Sequence, residues 1–206
     1  GRNGFARSSR VDGARPVPCL YDHALQNKKG PFRGYAQFYL TYMGYWDPMS
    51  CHFYELPKSP PGLSSWTRLR LDWLPHTKVV TVHPGQRQIV RLGPLVQWEN
   101  STLAIRIPLS KAEYYLVENR QPLSVDQNLP DHGVLILRAD DRVKECLDGQ
   151  SPVRVIDMNP KVPELRGATM DVRTGKRTTF FDRPHRVAIR LLAKEGSTYK
   201  IEVDRR

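Results

Sequence analysis

The chain has 206 residues, a formal net charge of +11 and an apolar fraction of 39%, which together exclude wholesale disorder and allow a sizeable buried core. No apolar run approaches the ~18 residues that a membrane-spanning helix needs. The 17 prolines and 14 glycines argue against a helical bundle, because they indicate many short elements joined by turns.

The first third of the chain carries little regular pattern. Residues 1–34 lack clear periodicity, and the start Gly-Arg-Asn without an apolar leader leads us to expect a processed chain or a fragment. Residues 35–56 are dense in aromatic side chains. This density favours a buried loop-and-turn cluster, with a stacking surface for bases or sugars as the alternative.

One helix is predicted next. Pro60, Pro61 and Gly62 interrupt any preceding element, and Ser64 or Ser65 can cap a helix that ends after Leu74, before a proline. Residues at three-to-four spacing form its predicted buried stripe: Leu63, Trp66, Leu69 or Arg70, and Trp73.

Period-two patterns then predict eight strands. They cover residues 78–82, 88–92, 103–107, 114–117, 134–137, 153–156, 186–191 and 198–203. Turn-forming residues separate the strands, and the last two form a predicted hairpin across residues 194–197. The predicted fold is mainly β with a minor helical part (α+β), in which one helix precedes an antiparallel β-sandwich or barrel.

Five short blocks follow one another along about residues 19–140. They are residues 20–22 (Leu-Tyr-Asp), 44–49 (Gly-Tyr-Trp-Asp-Pro-Met), 63–74, 113–121 and 126–136. Their order and spacing resemble those of the immune-inhibitor-A-like metallopeptidases, which are secreted zinc proteases. The resemblance makes residues 44–49 a Met-turn, and it implies an extracellular location.

The zinc-binding helix of that family has no counterpart in this sequence. No HExxH occurs in the chain, although zinc proteases of this kind need two histidines one helical turn apart. The family's spacing places the zinc helix around residues 9–13, which read Ser-Arg-Val-Asp-Gly, and Pro16 and Pro18 oppose a continuous helix there. We therefore expect no catalytic residue and no metal ligand in this chain, and zinc only if the helix is supplied from elsewhere.

The resemblance assigns structural rather than catalytic roles to the remaining site residues. Trp46, Asp47 and Met49 form the Met-turn, where Asp47 is expected to accept backbone N–H bonds and Met49 to fill the core. Glu118 and Arg120 are two apart on one face of a strand, so we expect a structural ion pair. Catalysis by Glu118 is the alternative, and it requires the carboxylate to face a cleft.

Other metal or thiol chemistry has weaker support. The aspartates 126, 131, 140 and 141 could bind calcium, although simple turn chemistry is favoured. His23 and His52 flank the Met-turn and could approach each other, and Cys19 with His23 could form a thiol site. Three cysteines without a CxxC motif do not support a zinc ribbon or a thioredoxin-type site.

Three functional hypotheses follow. The leading one is a non-catalytic remnant of a metallopeptidase catalytic domain (residues 1–75) joined to a β-sandwich-like domain (residues 76–206), with a structural or binding role. The second is part of an active zinc endopeptidase whose HExxH helix lies outside this chain, on another polypeptide or upstream in the same precursor. The third is a basic polyanion or nucleic-acid binder, since residues 1–34 and 170–206 are basic, but solvated charged ends are the simpler explanation.

Overall fold

The structure, a computed structural model, describes residues 17–20, 42–50, 58–147 and 149–206. Within these ranges there is one α-helix, Ser65–Arg70 (α1), and there are 3-10 turns at Gly44–Trp46, His76–Lys78, Ser124–Asp126 and Pro163–Leu165. The strands are Val79–Thr81 (β1), Gln86–Leu92 (β2), Ala104–Pro108 (β3), Glu113–Arg120 (β4), Gly133–Asp140 (β5), Val153–Val155 (β6), Thr179–Asp182 (β7), Val187–Glu195 (β8) and Thr198–Arg205 (β9). The mainly β prediction with a minor helical part is confirmed.

The strands form two sheets. One has five strands in the order β1-β3-β4-β5-β6, and the other has four in the order β2-β9-β8-β7. Every pairing between these strands is antiparallel except β1 with β3, which is parallel because β2 crosses to the other sheet between them. The predicted β8–β9 hairpin is present, with Glu195 opposite Thr198.

The two sheets share one hydrophobic core. Inward side chains alternate along each strand, as the period of two requires: Tyr115 and Val117 of β4 lie in the same cluster as Ile189 of β8 and Ile201 of β9. Asn119 of β4 also points to this side, where its amide donates to the carbonyl oxygens of Leu92 (3.0 Å) and Ser197 (2.8 Å). The pair of sheets is therefore a β-sandwich.

A second core covers the outer face of the five-stranded sheet. Here Tyr114 and Leu116 of β4 pack in one cluster with Trp46, Trp66 and Leu20. The described residues before β1 thus form a third layer on the sandwich. Arg120 and Glu118 lie on this same face, since they share the even register of Tyr114 and Leu116.

The helix prediction needs a correction at its end. The helix α1 stops at Arg70 rather than Leu74, and Asp72 adopts a left-handed backbone conformation with φ of 59°. The chain therefore leaves the helical path before Trp73, and this side chain is 60% exposed instead of lying on the buried stripe.

The sequence patterns missed one strand. Strand β7 (Thr-Phe-Phe-Asp) lies at the edge of the four-stranded sheet, and its side chains are half-buried or exposed. An edge strand with this exposure shows no clear alternation of apolar and polar residues.

The predictions for residues 1–16 and 21–41, which include the zinc-helix position and His23, lie outside the described residues, as do those for Cys51 and His52.

Candidate functional site

The turn at residues 46–49 is held by its own aspartate. Asp47 is fully buried, and its Oδ1 accepts a hydrogen bond from the Met49 amide at 2.9 Å. The Asp47 carbonyl accepts another from the Ser50 amide at 3.0 Å. A carboxylate that accepts amide bonds two residues on is the usual chemistry of an Asx turn, so residues 47–50 form a closed turn.

The second oxygen of Asp47 ties this turn to α1. Asp47 Oδ2 accepts from the Ser64 amide (2.9 Å) and from the Thr67 hydroxyl (2.7 Å). Ser64 is the N-cap, and its Oγ accepts from the Thr67 amide at 3.3 Å. Free amides at a helix N-terminus need such acceptors, so the turn and the helix start stabilise each other.

Glu118 reaches the same helix start from the sheet. Its Oε2 accepts from the Ser65 amide at 2.7 Å, and its Oε1 lies 3.0 Å from Arg120 Nη1. The Glu118 side chain is fully buried. The carboxylate therefore faces no cleft, and both of its oxygens already have partners.

Arg120 lies at the centre of these contacts. Its guanidinium, fully buried, donates to Asp126 Oδ2 (2.8 Å) and Oδ1 (2.9 Å) and to Glu118 Oε1 (3.0 Å). It also donates to the carbonyl oxygens of Trp46 (2.7 Å) and Gly62 (3.0 Å). These contacts use all five N–H donors of an arginine.

The charges around Arg120 keep it protonated. Burial by itself lowers the pKa of Arg120, but the carboxylates of Asp126 and Glu118 outweigh this effect and the net pKa is raised. Replacing both partners of such a pair can be neutral, whereas removing one leaves a buried charge uncompensated.

A second arginine, Arg68 of α1, completes the group. Its Nε donates to the Leu63 carbonyl and its Nη1 to the Leu95 carbonyl, each at 2.9 Å. Burial, and then repulsion from Arg120, lower the pKa of Arg68. We call Asp47, Arg68, Glu118, Arg120 and Asp126 the buried charge cluster.

Trp46 and Met49 extend the turn in two directions. The fully buried Trp46 donates from its indole N–H to the Leu165 carbonyl at 2.9 Å. Met49 is half-buried against the second core, and its carbonyl accepts from the Leu20 amide at 3.1 Å. The turn thus contacts the chain on both sides of it in sequence, as well as the sheet.

The described residues offer no donor set for zinc. Residues 17–20, 42–50, 58–147 and 149–206 contain no group of three histidine, cysteine or acidic side chains that could hold a metal ion. Cys19 is exposed, whereas Cys146 is buried with its Sγ 3.3 Å from the Ser151 hydroxyl oxygen. Zinc chemistry would therefore need ligands from outside the described part of the chain.

The aspartates considered for calcium have other partners. Asp126 binds Arg120, Asp140 binds Arg142 and Asp131 binds Lys176. Asp141 accepts from the Tyr114 hydroxyl at 3.2 Å. Calcium takes six to eight oxygen ligands, and these four carboxylates do not converge on one point.

Sequence reasoning missed the contribution of α1 to the buried charge cluster. Thr67 and Arg68 read as polar positions of an amphipathic helix, yet both are buried. No periodic signal was available, because Thr67 and Arg68 follow Trp66 by about 100° and 200° around the helix, where an amphipathic helix places its polar residues.

Comparison with known proteins gives no match among family models, curated proteins or solved structures. In the described ranges, no helix has both the length and the apolar character required to cross a membrane.

Proposed function

We propose that this chain is a non-catalytic, β-rich part of a secreted, metallopeptidase-like protein, and that it holds the turn at residues 46–49 in a fixed position. The observation that supports this most is Arg120, whose single guanidinium binds the turn, the segment before α1 and the sheet. Its partners are Trp46, Gly62, Glu118 and Asp126. A scaffold role requires this kind of rigid support.

The absence of an HExxH motif from the sequence supports the non-catalytic part of the proposal. The fully buried Glu118 supports it as well, because a general base must be within reach of substrate or water. The secreted location rests on the resemblance alone and is part of the proposal.

The experiment measures metal content and proteolysis on the same purified chain. We expect substoichiometric zinc by inductively coupled plasma analysis and no cleavage of casein or gelatin, before or after zinc is added. Stoichiometric zinc together with cleavage that a chelator abolishes would overturn the proposal.

One contact favours the alternative that the chain completes a zinc site carried elsewhere. The Leu20 amide binds the Met49 carbonyl at 3.1 Å, so the segment that follows the family's zinc helix lies directly against the turn. Co-expression with the upstream coding region, tested for chelator-sensitive cleavage, decides between the two. Activity that appears only with the upstream part would establish the alternative.

Polyanion binding has less support. On the outer face of the four-stranded sheet, Arg87 and Arg190 both pair with Glu202, and Arg91 pairs with Glu195. Paired arginines have a weaker attraction for phosphates than free ones. Retention on heparin that falls steeply with salt concentration would restore this hypothesis.

A further inference from the structure

A cleft of about 300 Å³ opens where α1 ends, over the edge of the five-stranded sheet. Leu69 and Arg70 form its helix side, and Thr81 of β1, Arg106 of β3 and Tyr114 of β4 form its sheet side. None of these residues belongs to the buried charge cluster. The volume is in the range of small-molecule sites.

Arg106 is the unusual residue in this cleft. Its guanidinium carbon lies 4.2 Å from the centroid of the Tyr114 ring. Its Nε is buried without a hydrogen-bond partner in the described part of the chain. A buried guanidinium N–H without an acceptor is costly, so a ligand that supplies an acceptor to Arg106 would be stabilised by that bond.

The aromatic ring beneath Arg106 is itself fixed. The Tyr114 hydroxyl donates to Asp141 at 3.2 Å. Burial, together with the nearby negative charge of Asp141, raises the pKa of Tyr114 to about 12, which keeps the phenol neutral. The stacked guanidinium therefore needs little reordering to accept a ligand.

The rest of the lining indicates what kind of anion would fit. Asp72 and Asp141 line the cleft together with Arg70 and Arg106, so the two carboxylates offset the two guanidinium charges, and a doubly charged group such as phosphate is opposed more strongly than a singly charged one. The guanidinium fork matches a planar carboxylate, and Leu69 and Val79 add apolar surface. We propose that this cleft binds a monocarboxylate with a small apolar body, held by its carboxylate on Arg106.

Such a ligand could be a free acid or the C-terminal residue of a peptide, which share the carboxylate and a short apolar side chain. The test follows the backbone amide resonances of Thr81, residue 106 and Tyr114 in the full chain by NMR during titration, and in the parent chain it also follows the Arg106 Nε–H. The probes are N-acetyl-L-leucine, its uncharged amide, an acetylated tripeptide ending in leucine, and inorganic phosphate. The uncharged amide is the matched control because it differs only at the carboxyl group.

We expect a saturable shift with N-acetyl-L-leucine, and binding of the amide and of phosphate that is at least about tenfold weaker. The variant Arg106→Lys keeps the charge but loses the fork, so it should bind about tenfold more weakly than the parent. Tighter binding of the tripeptide than of N-acetyl-L-leucine would identify a chain terminus as the source of the carboxylate, and weaker binding would identify a free acid.

Three results would overturn the inference. They are no saturable shift with either carboxylate, equal binding of the amide or of phosphate, and undiminished binding by a folded Arg106→Gln variant. Should Arg106→Gln fail to fold, Arg106→Lys and the amide comparison on the parent chain still decide.

Discussion

Arg120 neutralises two buried carboxylates with a single side chain. It is the only cation that contacts both Glu118 and Asp126 among the described residues, and it has no exposed surface. Without this cation, the carboxylates of Glu118 and Asp126 would be left in an apolar environment, where a charge is costly. We therefore expect a large loss of stability when Arg120 is replaced.

The variant Arg120→Met removes the cation and keeps most of the side-chain volume. We expect the free energy of unfolding to fall by about 3–5 kcal/mol, because two buried carboxylates lose their partner. Urea denaturation measures this change. The matched control is Arg91→Met, whose ion pair with Glu195 is largely exposed, and whose midpoint should not change measurably. Equal effects of the two variants would contradict the role of Arg120.

Helix α1 depends on the residues around it. With six residues it is too short to be stable alone in water. Its N-terminal amides bind Asp47, Ser64 and Glu118, and Trp66 anchors it in the second core. These tertiary contacts, rather than the helix itself, therefore stabilise α1.

The sequence could predict elements but not these contacts. The strand predicted at residues 114–117 followed from the period of two, although it extends to Arg120 in the structure, and Ser64 or Ser65 followed as the capping residue from the place of both after Gly62. The bonds from Asp47 to Thr67 and from Glu118 to Ser65 join residues 20 and 53 apart. Periodicity describes only neighbours in sequence, so pairings at this distance had to come from the structure.

The early end of α1 has the same kind of cause. The Trp73 and Leu74 amides both donate to the Arg68 carbonyl, at 2.8 and 3.3 Å, which closes the helix beyond Arg70. Leu74 is fully buried in a small cluster with Leu95 and Leu103. The chain leaves the helix so that Leu74 is buried in this cluster, and Trp73 therefore does not lie on the buried face predicted for a longer helix.

Gly133 at the start of β5 gives a prediction at the scale of the element. It has φ of 140°, and a Cβ added there would lie 2.3 Å from the Met170 carbonyl oxygen. Gly133→Ala should therefore break the contact between residues 134 and 170 and destabilise the fold by more than the ~1–2 kcal/mol of backbone strain alone. Urea denaturation measures the loss.

The matched control is Gly196→Ala in the β8–β9 hairpin. Gly196 also has a positive φ, 60°, but a Cβ there meets nothing within 4 Å. The free energy of unfolding of Gly196→Ala should therefore fall only by the cost of the backbone conformation. A smaller decrease for Gly133→Ala than for Gly196→Ala would show that the close approach to the Met170 carbonyl does not contribute to stability.

At the scale of the whole molecule, we expect the sandwich to lose stability in acid. Burial raises the pKa of Asp171, but hydrogen bonds from Arg173 and from Tyr199 (2.8 Å) outweigh it, and the net pKa is lowered. Asp131 is half-buried, and burial raises its pKa, but bonds from Lys176 and Thr169 outweigh this effect and leave the pKa lowered. Their contributions to stability are complete above the unfolded-state pKa of about 3.9 and are lost as pH falls through the lower folded-state values.

We therefore expect the free energy of unfolding to decrease below about pH 4, and to decrease less steeply in Asp171→Asn. Urea midpoints at pH 6, 4 and 3 measure this dependence. Asp72→Asn, at an exposed position, is the control and should follow the parent. An acid slope in Asp171→Asn equal to that of the parent would show that Asp171 does not contribute.

We propose that the turn, α1 and the sandwich form one cooperative unit whose stability does not depend on a metal. Native-state hydrogen exchange tests it directly at the amides of Met49, Ser64 and Ser65, whose acceptors are Asp47 and Glu118. We expect these amides to exchange with the same opening free energy as the central amides of β4, and chelator to leave it unchanged. Exchange through a lower-energy local opening, or protection that a chelator removes, would contradict the account.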